Sequence, residues 1–118
     1  MKKYTSLLLG FTLLFACEDV VGVEDITAET VVILAPADNS TIDDTTVSFS
    51  WETMSGAETY QLQIAIPTFE QATEIVVDTT TMNNQFQKEL ESGDYQWRIR
   101  ALNSAYQTEY NTRNLIVQ

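Results

Sequence analysis

The segment 94–101, DYQWRIRA, alternates polar and apolar side chains at every position. A period of two places the apolar side chains on one face of a β-strand and the polar ones on the other, a separation that a helix would not produce. Segments 47–51 and 60–66 show the same alternation. The strongest pattern in the chain therefore predicts strands with one buried face and one wet face.

Turn-forming residues separate these alternating runs and several shorter apolar runs. Seven strands are expected from residue 31 onward, and seven short strands in fewer than ninety residues are typical of a small two-sheet β-sandwich. The fold class predicted from the pattern is therefore all-β. The expected strands are 31–34, 47–51, 60–66, 75–77, 86–90, 94–101 and 115–117.

The first seventeen residues, MKKYTSLLLGFTLLFAC, have the layout of a secretory signal. Lys2 and Lys3 precede the mostly apolar stretch 7–16, which is too short to span a bilayer as a mature helix. The stretch ends in LFAC at 14–17, and Cys17 is the only cysteine. This ending resembles the lipobox of bacterial lipoproteins, which implies cleavage before Cys17 and lipidation of its thiol. Ordinary signal-peptide cleavage and retention of the apolar stretch as an anchor are the alternatives.

The lipobox resemblance divides the chain into a signal peptide at 1–16, a lipidated acidic tether at 17–30 and a sandwich at 31–118. Each buried methylene contributes about 0.8 kcal/mol to membrane binding, so two or more acyl chains would hold the protein essentially permanently. The acidic pair Glu18-Asp19 resembles the export signal of surface lipoproteins in the Bacteroidota, although a solvated linker explains the same residues equally well. The expected location is the outer membrane, facing either the cell surface or, as the alternative, the periplasm.

Charge and composition exclude several classes of function. The chain has six cationic and seventeen acidic residues, a net charge of −11, and cleavage before Cys17 would remove two lysines and leave −13. A chain this acidic is not expected to bind nucleic acid or anionic headgroups by charge. The chain has no histidine, and it therefore lacks the commonest general base and the commonest transition-metal ligand. We expect no enzymatic activity and no cofactor.

Calcium is the one metal that the acidic residues bring into question. Asp38, Asp43 and Asp44 lie in one expected loop, and hard cations bind several oxygens. Ile42 stands where the EF-hand template requires a ligand, so solvated turn residues are expected and no metal site is predicted.

Four motifs follow one another in the second part of the chain: 47–51 VSFSW, 56–64 GAETYQLQI, 90–95 LESGDY and 95–103 YQWRIRALN. Together they resemble a fibronectin type III domain that covers residues 31–118, with a seven-stranded immunoglobulin-like sandwich. The resemblance implies a tyrosine corner, in which the Tyr95 hydroxyl bonds to the backbone near Leu90. It also implies that Trp51 and Trp97 pack between the sheets.

The fold does not select a function, because such sandwiches serve in adhesion, as spacers and in sugar binding. The reading with the fewest assumptions is a non-catalytic interaction or spacer module, which is held to the membrane through Cys17 and contacts an envelope protein or glycan. The alternative is a glycan-binding accessory lipoprotein of a polysaccharide uptake system, similar to SusE-type proteins. Candidate ligand contacts are Phe69, Tyr106 and Tyr110, aromatic residues in or near expected loops. Tyr106 and Tyr110 could instead cap the ends of the core.

Two short motifs raise the question of modification. Asp44-Thr45-Thr46 and Asp78-Thr79-Thr80 resemble the acceptor motif for O-glycans on exported Bacteroidota proteins, which makes Thr45 and Thr79 candidate acceptors. A motif of three residues also occurs often by chance.

Overall fold

The computed structural model describes residues 22–118, and these residues form eight β-strands in two sheets. One sheet has three strands in the order β1-β3-β6, and the other has five in the order β2-β8-β7-β4-β5. The all-β two-sheet architecture predicted from alternation is confirmed. The strands are β1 (Ile33–Ala35), β2 (Ser40–Ile42), β3 (Thr46–Trp51), β4 (Thr59–Ile66), β5 (Glu74–Thr81), β6 (Gln85–Glu89), β7 (Gly93–Leu102) and β8 (Asn111–Val117).

The core lies between the two sheets and is built from the apolar side chains that the alternating strands turn inward. Trp51 and Trp97 are both fully buried, as expected. The ring of Phe49 from the smaller sheet meets the ring of Trp97 from the larger sheet edge to face, with centroids 4.8 Å apart. Such aromatic pairs contribute about 0.5–1.5 kcal/mol beyond the area they bury.

The structure corrects the expected seven strands to eight. The additional strand is β2, which pairs in parallel with β8. The chain leaves β1 at Pro36 and turns through Asn39, whose φ is 61°, before it joins the other sheet. Three residues are too few to show an alternation, so β2 exists as a strand only because the edge of β8 lies beside it.

The tyrosine corner is confirmed one residue from its expected position. The Tyr95 hydroxyl donates to the Glu91 carbonyl oxygen at 2.7 Å, where the bond was expected near Leu90. Burial of the ring raises the Tyr95 pKa above its ordinary value of 10.0, and the negative charges of Glu91 and Glu74 raise it further.

The segment before β1 packs against the sandwich instead of extending freely from it. Ile26 is fully buried and belongs to the same hydrophobic core as both tryptophans. The Glu29 amide donates to the Ile26 carbonyl oxygen at 2.9 Å, which closes a turn at this point. Packed structure therefore begins before the expected boundary at residue 31, because one apolar side chain of the acidic segment reaches the core.

The predicted signal peptide and Cys17 lie outside the described residues. Within residues 22–118, no helix has the length and apolar character needed to cross a membrane.

Candidate functional site

The outer face of the five-stranded sheet carries an ordered row of polar side chains. The strict alternation of β7 buries Trp97 and Ile99 and turns Arg98 and Arg100 outward, where both are half-buried. The antiparallel register places Gln63 of β4 opposite Arg98 and Gln61 opposite Arg100. Each arginine is therefore matched across strands by an amide, a partner that can accept its hydrogen bonds.

Hydrogen bonds fix these cross-strand pairs. Arg98 Nε donates to Gln63 Oε1 at 2.7 Å, and Arg100 donates to Gln61 Oε1 through Nε at 2.9 Å and Nη2 at 2.7 Å. Gln61 in turn donates through Nε2 to Asp78 Oδ1 at 3.0 Å. The guanidinium groups thus bond directly to neutral amides, and the carboxylate of Asp78 enters the network only through Gln61.

Two aromatic rings enclose the Arg98 guanidinium. Its central carbon lies 4.0 Å from the centroid of the Phe69 ring and 4.2 Å from that of Tyr110. The central carbon of Arg100 lies 4.6 Å from the Tyr110 centroid. Cation–π contacts contribute about 0.5–1 kcal/mol each at exposed sites and more when they exclude water. We call Phe69, Arg98, Arg100 and Tyr110 the arginine–aromatic surface.

The loop after β4 reaches this surface because a further side chain of β7 holds it. The Phe69 amide donates to Gln96 Oε1 at 2.8 Å, and Gln96 Nε2 donates to Asn114 Oδ1 of β8 at 3.1 Å. The β1–β2 connection also contacts Asn114, because the backbone N–H of Asn114 donates to Asp38 Oδ1 at 2.9 Å. The arginine–aromatic surface is therefore supported by three strands and one loop that are distant in sequence.

Of the three predicted contact residues, the structure brings Phe69 and Tyr110 together and places Tyr106 elsewhere. Tyr106 lies in the loop between β7 and β8, with 36% of its surface exposed. Its amide donates to Asn103 Oδ1 at 2.8 Å, and its carbonyl oxygen accepts the Asn103 amide at 3.0 Å. This loop is shaped by Asn103, so the Tyr106 ring is not needed to form the turn.

Sequence reasoning missed the structural role of Asn103, which joins three segments at one end of the sandwich. Its Nδ2 donates to the carbonyl oxygens of Glu24 and Gly56, at 2.8 and 2.9 Å. Its Oδ1 accepts the amides of Ala105 and Tyr106, at 3.0 and 2.8 Å. An asparagine directly after a strand is a turn signal, but its two long-range partners could not be found without the tertiary structure.

Arg98 and Arg100 were missed as well. The available signal was a pair of cations two residues apart on the wet face of β7, in a chain with few cations. Their stacking on Phe69 and Tyr110 depends on where two loops fold, and neither loop carries a period that would show this.

The structure distinguishes the two candidate acceptor threonines. Thr45 is exposed in the connection between β2 and β3. Thr79 lies within β5 opposite the buried Leu62 of β4 and is half-buried. An acceptor hydroxyl must reach an enzyme, and the surface therefore favours Thr45.

Acidic side chains near β2 serve local backbone groups. Asp44 Oδ1 accepts the Thr46 amide at 3.0 Å, while Asp38 bonds to Asn114 on the other side of β2. Among residues 22–118, no group of three or more acidic, histidine or cysteine side chains is placed to hold a metal ion. At the start of the described chain, hydrogen bonds from the Thr27 hydroxyl and amide lower the Asp25 pKa from 3.8.

Solved structures similar to this chain are fibronectin type III domains. The fibronectin(III)-like modules of Clostridium thermocellum CbhA superpose with a TM-score of 0.55 at 9% identity, over 75% of this chain and 96% of that one. The fn3 domain of human collagen alpha-1(XX) superposes with a TM-score of 0.56 at 17% identity, over 72% and 82%. The domain derived from human KIAA0970 protein superposes with a TM-score of 0.55 at 12% identity, over 75% and 72%.

This chain has a fibronectin type III fold. The resemblance seen in the sequence motifs is thereby confirmed at the level of fold. By sequence, the chain matches no protein family and no curated protein. Similarity at these identities leaves function to be argued from the surface of this particular sandwich.

Proposed function

We propose that this protein is a non-catalytic cell-envelope lipoprotein, anchored through Cys17, that binds a partner with its arginine–aromatic surface. The supporting observation is the enclosure of the Arg98 guanidinium between Phe69 and Tyr110 on an open sheet face. Ring stacking restrains the arginine before any partner arrives, and such preorganisation reduces the entropy lost on binding. Arginine and tyrosine are also the residue types that most often dominate binding energy.

Hydrogen-bonding capacity supports the same surface. Among the hydrogen bonds within residues 22–118, Arg98 donates through Nε alone. Its two terminal nitrogens therefore remain available to donate two parallel hydrogen bonds to a carboxylate or to another pair of acceptors. Nothing in this arrangement activates a nucleophile or moves a proton, which favours a binding role over a catalytic one.

Glycan binding is the second candidate, and one observation favours it. Phe69 and Tyr110, far apart in sequence, both lie against Arg98 beside the amide of Gln63, whose Nε2 makes no hydrogen bond within residues 22–118. Sugar rings stack their C–H faces on aromatic rings, while amides bond to the hydroxyl groups. An accessory role in polysaccharide uptake would use this combination. The anchoring membrane is expected to be the outer membrane, with the sandwich at the cell surface or, alternatively, in the periplasm.

The experiment compares Arg98→Gln with Lys88→Gln in the lipidated chain. Each variant loses one positive charge, and Lys88 is an exposed residue of β6 on the other sheet. Binding is measured by pull-down from the organism's own envelope fraction and by affinity electrophoresis in purified polysaccharides. Loss of a central arginine costs about 2 kcal/mol or more, so Arg98→Gln should weaken binding by at least about tenfold and Lys88→Gln should not.

The two arms separate the candidate functions. Retention of one envelope protein that depends on Arg98 supports the interaction module, and Arg98-dependent retardation in a polysaccharide supports the glycan reading. Lys88→Gln should keep the wild-type melting temperature, and Arg98→Gln should melt a few degrees lower because it loses its stacking on two rings. Cooperative unfolding of both variants well above the temperature of the binding assay shows that the fold is intact. Equal binding by Arg98→Gln and wild type in both arms would remove the arginine–aromatic surface as the contact site.

A further inference from the structure

The described N-terminal segment is attached to one particular end of the sandwich. The Glu24 carbonyl oxygen accepts Asn103 Nδ2 at 2.8 Å, and Glu24 Oε1 accepts the Ser55 hydroxyl at 3.4 Å. Two residues later, Ile26 is fully buried in the core. A hydrogen-bonded backbone followed by a buried apolar side chain fixes the point at which the chain enters the domain.

The close approach at Gly56 shows that this attachment is specific. A Cβ added to Gly56 would lie 2.8 Å from the Glu24 carboxyl carbon and 2.9 Å from Ile26 Cγ2. Gly56 also has a φ of +89°, a backbone conformation that residues with a Cβ atom rarely adopt. The loop before β4 is thus shaped to receive residues 24–26.

The same end of the sandwich carries the loop that contains Tyr106. This loop follows the last residue of β7, Leu102, and the turn before β7 lies at the opposite end, at Ser92. The ten residues of β7 separate the two ends by about 30 Å, at roughly 3.3 Å per residue. Exposed apolar residues at the attached end include Val23, with 41% of its surface exposed, and Tyr106.

The length of chain between Cys17 and the attachment point limits the distance of this end from the membrane. Glu24 follows Cys17 by seven residues. A fully extended chain of this length spans at most about 25 Å, since each residue adds no more than about 3.6 Å. The opposite end of the sandwich has no such restraint and lies about 30 Å farther along β7.

We propose that the end formed by residues 22–26, Gly56 and the Tyr106 loop faces the lipid bilayer that holds the protein. This inference rests on the proposed lipid anchor at Cys17. Tyrosine is suited to the headgroup region of a bilayer, because its ring is apolar and its hydroxyl group can bond to water. The Tyr106 loop therefore lies on the membrane side of the sandwich, the Ser92 turn points away from it, and the arginine–aromatic surface faces sideways, accessible to a neighbouring envelope component.

The orientation is tested with two single-cysteine variants of the lipidated protein, Ser104→Cys and Ser92→Cys. Both serines are exposed, and they lie at opposite ends of β7. Acylation blocks Cys17, so a donor fluorophore labels only the new thiol. The proteins are incorporated into phosphatidylcholine vesicles that contain a lipid-linked acceptor dye. Because the two labels differ by about 30 Å in distance from the anchored end, energy transfer should be at least about twofold greater at position 104.

Flotation of the same vesicles separates failure of the orientation from failure of the anchor. The lipidated protein should float with the vesicles, and Cys17→Ser should stay in the dense fraction. Flotation combined with equal transfer at the two positions, or greater transfer at position 92, would overturn the orientation while the anchor stands. If the chain with Cys17 does not float, both the anchor and the orientation are wrong.

Discussion

At the scale of single residues, Tyr95 shows how one side chain serves both the core and the backbone. Its ring is buried in the sandwich, while its hydroxyl donates to the Glu91 carbonyl oxygen at 2.7 Å. The bond closes the turn between β6 and β7, so the residue ties the start of the longest strand to the preceding connection. The same environment disfavours its ionised form, because burial and two nearby carboxylates oppose a negative charge.

Tyr95→Phe should therefore lower stability in a pH-dependent way. Below pH 9 the loss of the hydroxyl bond should cost about 1 kcal/mol. The Tyr95 pKa is raised in the folded state, so its contribution is fully present below pH 10, the ordinary pKa, and is lost as pH rises through the folded value. In urea unfolding, the stability difference between wild type and Tyr95→Phe should thus stay constant from pH 8 to pH 9 and shrink as the pH rises above 10. A stability difference that stays constant from pH 8 to above pH 10 would show that ionisation of Tyr95 does not affect folding.

At the scale of elements, Asn103 joins the N-terminal segment to two loops. Its amide group makes four hydrogen bonds, two to carbonyl oxygens of other segments and two within its own loop. The arrangement turns a strand end into an attachment point for residues 24–26. No repeating pattern of apolar residues is involved, and this end is held by one polar side chain together with the buried Ile26.

Asn103→Ala should loosen the N-terminal segment and lower the free energy of unfolding by about 2 kcal/mol, because several partly buried groups lose their partners. The Glu29 amide, which bonds to the Ile26 carbonyl oxygen, should exchange its hydrogen faster in this variant. Urea unfolding and hydrogen exchange measure the two effects. Asn83→Ala, a change at an exposed turn residue, is the control and should alter neither quantity. Wild-type exchange at Glu29 in Asn103→Ala would show that the segment is held by other contacts.

At the scale of the whole molecule, the sandwich presents two ends and two faces with different surroundings. The attached end lies toward the predicted lipid anchor, and the arginine–aromatic surface occupies one face. Thr45 lies near the end opposite the attachment, within the connection that leads from β2 into β3. An O-glycan at this position would stand away from the membrane and would leave the sheet face clear.

Intact mass spectrometry of the protein purified from its own organism checks the lipid and the glycan together. The polypeptide should begin at Cys17 and carry the mass of a lipid plus a glycan. Thr45→Val should remove the glycan mass, and Thr79→Val should not, because Thr79 is half-buried within β5. A mass with no excess beyond the lipid excludes the glycan, and a loss caused only by Thr79→Val would reverse the assignment.

The sequence alone determined the features that depend on local order. Alternation in 47–51, 60–64 and 94–101 identified the inner and outer faces of those three strands, and the resemblance of 90–95 to a fibronectin type III corner placed Tyr95. These predictions succeeded because a period of two and a turn motif are properties of neighbouring residues. The motif order predicted the fold for the same reason. The alternation predicted for 60–66 is wrong at Ala65, which a bulge after Ile64 buries although the pattern put it on the wet face.

Only the tertiary structure decided which distant residues meet. β2 is a strand because the edge of β8 lies beside it, and Ile26 is buried because Gly56 leaves space for it. Phe69 and Tyr110 form one surface only because two loops converge on Arg98 of β7. Each of these contacts depends on register and loop path, which are set by the packing of the whole sandwich and leave no periodic trace in the residues concerned.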